Sequence, residues 1–99
     1  MASIEQGGRI EHVIGGSDIT AEFTDGIIRG ASGCNTYGGQ FTVTGNRLTV
    51  KNVVETQLGC GNQQEIDYLR ALDGATSFTL TSDTLTITYA GGALHFTRM

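Results

Sequence analysis

Apolar and polar residues alternate with a period of two along most of this chain, and short polar or glycine-containing segments separate the alternating runs. Four of these segments have the length of a two-residue hairpin turn: Asp25-Gly26, Gly45-Asn46, Ser82-Asp83 and Gly91-Gly92. Residues opposed across them agree in polarity, as in Phe23 with Ile28, Val43 with Leu48, Leu80 with Leu85, and Tyr89 with Leu94. The pattern therefore predicts antiparallel hairpins with one buried and one solvated face.

The shared apolar face defines a predicted interior, because a strand turns every second side chain to the same side. Its predicted members are Ile19, Phe23, Ile28, Phe41, Val43, Leu48, Val50, Phe78, Leu80, Leu85, Ile87, Tyr89, Leu94 and Phe96, with Ile66 and Leu69 from a helix. The opposite face is rich in threonine, a β-branched residue that suits a solvated strand surface. We therefore expect these strands to enclose a filled core.

One segment changes from the period of strands to the period of a helix. Asn62 and Glu65 have the spacing of a capping box, and Ile66 begins a run of apolar residues at helical spacing. Gly74 lies where a helix usually ends. We predict one helix from about 63 to 73, whose apolar stripe packs against the sheet or closes one end of it.

The first 17 residues give a less regular pattern. Pairing across Gly7-Gly8 would oppose Ile4 to Glu11 and Glu5 to Ile10, which does not separate apolar from polar residues, so their pairing stays open. Counting this region, the chain holds about seven or eight short strands and one helix. We predict a mainly β (α+β) fold: a small antiparallel sheet that closes into a barrel, with the helix packed against it.

Length and composition indicate one small β-rich domain over residues 1–99. The 15 Gly and the absence of Pro suit a fold of strands and tight turns. Ten acidic against six basic residues give a net charge of −4, which disfavours binding to nucleic-acid phosphates. No apolar run is long enough to cross a membrane and no targeting motif is present, so we expect no membrane insertion by this segment.

Side chains that could carry chemistry are sparse and dispersed. No phosphate loop, nucleophile motif or metal-ligand spacing occurs, so the sequence predicts no catalytic, cofactor or metal site. His95 is interpreted as an exposed strand histidine. Asn35 and Tyr37 are candidate surface binding residues, because they lie in a glycine-rich connection. Alternatively, Asn35 stabilises its own loop and Tyr37 covers the end of the barrel.

Cys34 and Cys60 are the two cysteines, and their spacing matches no zinc motif. Both lie in glycine-flanked loops at strand or helix boundaries, which is compatible with a disulfide or with a pair of free thiols. A nucleophilic cysteine served by a distant histidine is a third, disfavoured alternative. A disulfide between them would contribute about 3.5 kcal/mol by the chain-entropy estimate.

Two short signatures resemble those of the META (HslJ-like) domain family. Ser32-Gly33-Cys34-Asn35, followed by Tyr37 and Phe41, is similar to the family's S-G-C-N stretch and its two aromatic residues. Thr56-Gln57-Leu58-Gly59-Cys60 is similar to its second signature, a Thr followed by a Met-Ala-Cys-like triplet. The family usually opens with a Trp-bearing strand, and this chain has no Trp, so its first strand is either truncated or degenerate.

The resemblance implies a small β-barrel with one helix, and no established enzymatic activity or ligand. It also implies that Cys34 and Cys60 are neighbours in space, since each signature carries one of them. Family members often belong to bacterial cell-envelope proteins or lipoproteins, and some are stress-related. We therefore expect a non-enzymatic domain in the periplasm or envelope, acting through surface contacts with a protein or envelope partner.

The alternative function is the binding of a small molecule at the open end of the barrel near the Cys34–Gly39 loop. Barrels of about eight strands can hold one small ligand, which makes this alternative physically reasonable.

Two oligomeric states are also compatible with the sequence. Either the protein is a monomer whose N-terminal segment covers a sheet edge, or edge strands pair two copies into a weak homodimer.

Overall fold

A computed structural model describes residues 3–12, 18–56 and 63–97 of the chain. They form ten strands and one helix: β1 (Ser3–Gln6), β2 (Arg9–His12), β3 (Asp18–Ile19), β4 (Glu22–Thr24), β5 (Ile27–Gly33), β6 (Thr36–Thr44), β7 (Arg47–Glu55), α1 (Gln63–Asp73), β8 (Ala75–Leu80), β9 (Thr84–Tyr89) and β10 (Gly92–Thr97). The mainly β class with one helix is confirmed, and the helix has the predicted bounds.

All ten strands belong to one antiparallel sheet. Nine follow the order β2-β1-β10-β9-β8-β7-β6-β5-β3, and β4 pairs with β5 beside β3. α1 contacts both β5 and β10, which lie far apart in this order, so the sheet curls to bring both strands to the helix. Within the described ranges no ladder joins β2 to β3 or β4, so the predicted closed barrel is not confirmed. The strand count also exceeds the predicted seven or eight.

Three of the four predicted hairpin registers are confirmed. Their pairs include Phe23 with Ile28, Phe41 with Val50, Val43 with Leu48, Phe78 with Ile87, and Leu80 with Leu85. The fourth register is wrong by two residues, because Tyr89 pairs with Gly92 and Ala90-Gly91 forms the turn. Gly92 is the first residue of β10, and this position requires glycine because a Cβ there would overlap the carbonyl oxygen of Glu5 on β1. A shift of two residues leaves each side chain on its predicted face.

The N-terminal hairpin adopts the register in which apolar residues are paired with polar ones. Ile4 pairs with Glu11 and Glu5 pairs with Ile10. Segregation is unnecessary here because β2 is the edge strand of the sheet. Ile4 on β1 is buried in the core, whereas Ile10 on β2 is exposed. The two-residue turn at Gly7-Gly8, where both glycines have positive φ, sets this register, and the edge position of β2 lets the polar and apolar pairs stand.

The predicted interior is only partly filled. Seven of its residues are buried: Ile19, Ile28, Leu48, Val50, Ile87, Leu94 and Phe96. Six are partly buried and pack against the core: Phe23, Phe41, Leu69, Phe78, Leu85 and Tyr89. The prediction is wrong for Val43, Leu80 and Ile66, which are exposed.

The exposure of Ile66 reflects a helix face that differs from the predicted apolar stripe. α1 buries Gln64, Glu65, Tyr68, Ala71 and Leu72. Two polar residues occupy this face because each has hydrogen-bond partners in the sheet; the side-chain amide of Gln64, for example, donates to the carbonyl of His12 (2.8 Å). No helix in the described ranges is long and apolar enough to cross a membrane.

Candidate functional site

The N-terminal turn of α1 is held by a loop between β5 and β6. Glu65 projects from the helix with only 4% of its surface exposed. Its Oε2 accepts a hydrogen bond from Ser32 Oγ (2.7 Å) and one from the Asn35 backbone N–H (2.9 Å), and its Oε1 accepts one from Asn35 Nδ2 (2.9 Å). The backbone N–H of Cys34 donates a further bond. The Ser32–Asn35 loop is therefore a receptor for one buried carboxylate.

The charge on Glu65 is stabilised by this loop. Burial by itself raises the pKa of the carboxyl, because it disfavours the ionised form. The hydrogen bonds from Ser32, Asn35 and Cys34 act in the opposite direction and prevail, so the pKa of Glu65 is lowered. Glu65 is therefore ionised at neutral pH. The capping box predicted for Glu65 and Asn62 stays a prediction, because Asn62 lies outside the described residues.

Thr56 links the end of β7 to the same loop. Its Oγ1 donates to Asn35 Oδ1 (3.2 Å) and accepts from the backbone N–H of Thr36 (3.1 Å), while its own N–H donates to the carbonyl of Thr36 (3.0 Å). Asn35 thus donates to Glu65 with one end of its amide and accepts from Thr56 with the other. Polar residues of both sequence signatures, Ser32 and Asn35 in the first and Thr56 in the second, join this one network.

Two buried tyrosines continue the interior next to this network. The rings of Tyr37 on β6 and Tyr68 on α1 pack edge to face, with centroids 5.5 Å apart. Tyr37 Oη donates to the carbonyl of Thr20 (2.7 Å) and lies 2.5 Å from Tyr68 Oη. Because Tyr37 has one hydroxyl proton and a carbonyl only accepts, Tyr68 must donate to Tyr37.

These contacts make both phenols weak acids. Burial raises the pKa of Tyr37 to about 12, although the hydrogen bond from Tyr68 opposes the shift. Burial, the charge of an ionised Tyr37 and the bond donated to Tyr37 together raise the pKa of Tyr68 well above its ordinary value. Both side chains are therefore neutral hydrogen-bonding groups over the ordinary pH range.

The candidate residues from the sequence occupy the interior rather than the surface. Asn35 and Tyr37, the candidate surface binding residues, are both buried, which favours the alternative that they stabilise the structure. Cys34 is half-buried and disulfide-bonded. Cys60 lies outside the described residues, so its pairing with Cys34 stays a prediction. His95, expected to be exposed, is half-buried, with its Nε2 3.5 Å from Glu5 Oε1.

A cavity of about 1290 Å³ runs along the inner side of the sheet, from Thr36 and Tyr37 near the Cys34 loop to the turn at residues 82–83. Its apolar lining consists of Ile19, Ala21, Phe23, Ala31, Phe41, Val43, Leu48, Phe78, Leu80, Leu85 and Phe96. The cavity is larger than the roughly 300–1,000 Å³ typical of small-molecule pockets.

The mouth of this cavity leaves large apolar side chains in contact with solvent. Leu80 is 63% exposed and Val43 is 49% exposed, although both line the cavity. Deeper in, Phe23 and Phe41 pack edge to face with centroids 5.0 Å apart. The sequence pattern assigned these residues to a filled interior and so missed the cavity, because periodicity shows which face is apolar but not whether atoms fill the space behind it.

Charged groups are few along the cavity. Glu22, Arg29 and Asp83 are its charged lining residues, and Arg29 lies 3.7 Å from Glu22 in an exposed ion pair. A search of the described residues finds no cluster of His, Cys, Asp and Glu that could hold a metal ion. The arrangement therefore suits the binding of an apolar group beneath a polar rim.

These features define a small, mainly β domain with an open antiparallel sheet, one helix held by a buried carboxylate, and an apolar cavity along the inner side of the sheet. The chain belongs to the META domain family, whose model matches residues 2–99. The resemblance seen in the two signatures is thereby confirmed.

Solved structures share this fold. An NMR structure of a protein from Burkholderia xenovorans is similar with a TM-score of 0.81 and 23% identity, over 98% of this chain and 77% of that one. A second NMR structure has a TM-score of 0.58 and 19% identity, over 97% of this chain and 87% of the other. Identities this low establish the fold alone. No curated protein sequence is significantly similar to the chain.

Proposed function

We propose that this META domain is a non-catalytic binding domain whose cavity accepts the apolar part of a ligand. The observation that carries the proposal is the solvent-facing apolar lining of the cavity, with Leu80 and Val43 at its mouth. A ligand that covers these side chains would remove apolar surface from water, which contributes about 25 cal/mol of binding free energy per Å² buried. Thr36 and Tyr37 of the Cys34–Gly39 segment also line the cavity, so this proposal adjoins the small-molecule site expected from the sequence.

A matched pair of valines tests the proposal. Val43 lines the cavity, whereas Val54 on β7 is 70% exposed and lies outside it. We expect the neutral fluorescent probe N-phenyl-1-naphthylamine to bind the protein saturably. Val43→Glu should weaken binding by at least about tenfold, because it places a carboxylate beside the apolar ligand. Val54→Glu should leave binding unchanged. Absence of saturable binding, or equal effects of both variants, would refute the proposal.

A second candidate function is contact with a protein or envelope partner through the outer surface. It is supported by exposed apolar side chains outside the cavity, namely Ile10 on β2, Val54 on β7 and Ile66 on α1. The proposed periplasmic or envelope location is supported by the family resemblance. Fractionation of cells that express the full gene product tests it, and recovery of the protein solely with the cytosol would contradict it.

A further inference from the structure

The cavity is long, and part of its apolar lining follows a single strand. Tyr37, Phe41 and Val43 on β6 all line it. The six residues from Tyr37 to Val43 extend over about 20 Å at the rise of a strand. The cavity of about 1290 Å³ therefore has the length to hold an extended apolar group.

The end of the cavity near the Cys34 loop suits the apolar part of a ligand. Tyr37 lines this end, and its hydroxyl group already has a partner for its proton and another for its oxygen. It donates to the carbonyl of Thr20 and accepts from Tyr68. A polar head group placed here would compete with existing hydrogen bonds, so we expect the head group at the other end.

Two of the three charged lining residues compensate each other. Arg29 on β5 and Glu22 on β4 form an ion pair (3.7 Å). This pair is next to the pair of Phe23 and Ile28 along the same two strands. Because successive side chains of a strand point to opposite faces, Arg29 and Glu22 lie on the face opposite Phe23 and Ile28. The ion pair therefore adds no net charge to the apolar interior.

Asp83 is the remaining charged lining residue. It lies in the turn between β8 and β9, close in sequence to Leu80 at the cavity mouth. In the described parts of the chain, the Asp83 carboxylate has no ion-pair partner. The mouth therefore combines exposed apolar surface with an uncompensated negative charge, on a chain whose net charge is −4.

We propose that the ligand of this cavity is a cationic amphiphile, an elongated apolar chain that ends in a protonated amine beside Asp83. This inference rests on the proposed binding function and names its ligand class. The chain covers the apolar lining, and the ammonium group balances the charge of Asp83. A fatty acid of the same length would cover the same surface, but its carboxylate would be repelled by the carboxylate of Asp83.

The expected preference is modest because Asp83 is exposed to solvent. An ion pair at such a position should favour an amine over an uncharged ligand with the same chain by about two- to fivefold in affinity. Salt should reduce this preference, since dissolved ions screen exposed charges.

The experiment measures the displacement of N-phenyl-1-naphthylamine by decylamine, decanol and decanoate at pH 7 and low ionic strength. The three compounds share one apolar chain and differ in charge. An alkyl amine resembles the lysine side chain, whose pKa is about 10.4, so decylamine is protonated at this pH. We expect decylamine to displace the probe at the lowest concentration and decanoate at the highest, with the three values converging at high salt.

A matched pair of aspartates tests whether the preference comes from Asp83. Asp83→Asn removes the charge at the mouth. Asp73→Asn removes the same charge from an exposed residue at the end of α1, outside the cavity lining. The readout is the ratio of the decylamine affinity to the decanol affinity, because a change in the apolar contacts affects both ligands. Asp83→Asn should abolish the preference for the amine, whereas Asp73→Asn should retain it.

The two proposals fail in different ways. If the probe binds but decylamine competes no better than decanol or decanoate, or if none of the three competes, the cationic ligand class is wrong and the apolar cavity remains the site. Equal affinity ratios in Asp83→Asn and Asp73→Asn would also overturn the inference, because the preference would then not depend on Asp83. Failure of the probe itself to bind would refute the binding function, and the inference with it.

Discussion

Replacement of Glu65 tests whether the Ser32–Asn35 loop is built around a carboxylate. In Glu65→Gln, one oxygen becomes an NH₂ group that must face a former donor. The least costly orientation turns this group toward Asn35, whose side-chain amide then flips to accept. After this flip, the Asn35 NH₂ group faces Thr56 Oγ1, which loses Asn35 Oδ1 as its acceptor. The remaining hydrogen bonds to residue 65 are also weaker, because their acceptor is no longer charged.

The magnitude follows from the number of bonds affected. Hydrogen bonds to a charged group contribute about 1.5–3 kcal/mol each against about 1 kcal/mol for neutral pairs, so several weakened bonds predict a loss of about 2 kcal/mol. Glu65→Ala leaves the donors of Ser32, Cys34 and Asn35 without their acceptor and should cost about 3–5 kcal/mol. Because the total free energy of unfolding of a domain is about 5–15 kcal/mol, either loss is readily measured.

The assay is urea denaturation followed by circular dichroism, with Glu55→Gln as the control because Glu55 is an exposed glutamate on β7. The control should change stability by less than about 0.5 kcal/mol. Since the folded pKa of Glu65 is lowered, its stabilising contribution is present above the unfolded pKa of about 4.3 and is lost as the pH falls through the folded pKa. The gap between wild type and Glu65→Gln should therefore shrink in acid. Equal stabilities at pH 7, or a gap that persists unchanged at low pH, would refute a buried ionised carboxylate.

Further predictions concern the tyrosines, a glycine and the disulfide. Tyr37→Phe should cost about 1–3 kcal/mol in urea denaturation because it deprives Tyr68 of its acceptor, whereas Tyr68→Phe leaves the bond from Tyr37 to Thr20 intact and should cost less. Because the pKa of Tyr37 is raised to about 12 and the pKa values of Tyr68 and Tyr89 are also raised, the phenolate absorbance at 295 nm near pH 10 should be lower than that of the unfolded chain; stability should fall as the pH rises above the unfolded value. Gly30→Ala should destabilise by about 2 kcal/mol or more because its Cβ would overlap the carbonyl of Thr20, while Gly38→Ala, with its nearest neighbour at 3.8 Å, should cost less than about 1 kcal/mol. Thiol titration of the unreduced protein should find no free cysteine, and reaction of both thiols without reductant would contradict the predicted Cys34–Cys60 pair.

Local pattern was sufficient for three of the four hairpins and for the bounds of the helix. Across Gly45-Asn46, for example, the pairing of Val43 with Leu48 keeps apolar residues on one face, whereas a slip by one residue would not. Polarity does not distinguish registers that differ by two residues, which is how the pairing of Tyr89 was missed. The N-terminal hairpin shows where this reasoning ends. The Gly7-Gly8 turn pairs Ile10 with Glu5, and Ile10 can be exposed because β2 lies at the edge, which nothing in the first residues indicates.

The buried face of the helix depended on a contact that the sequence does not place. Ile66 fits an apolar stripe, yet α1 buries Glu65 instead, because the helix begins beside the loop that donates to its carboxylate. The required information is the position of Ser32 and Asn35 relative to residue 65 in space. The polar residues Ser32 and Asn35 at the end of β5 are the signal that could have indicated this contact, because buried polar groups usually have hydrogen-bond partners.

The two ends of the sheet have opposite characters, and this difference bears on where the domain acts. At the helix end, the donors of Ser32, Cys34 and Asn35 are all used by Glu65, and no buried side-chain N or O atom in the described ranges lacks a hydrogen bond. A ligand at that end would have to break existing bonds. At the turn end, the apolar side chains of Leu80 and Val43 remain in contact with water, so a ligand there would cover apolar surface without breaking the bonds to Glu65. Substitutions in the signature loop should therefore act on binding through stability, whereas substitutions at the cavity mouth should act on it directly.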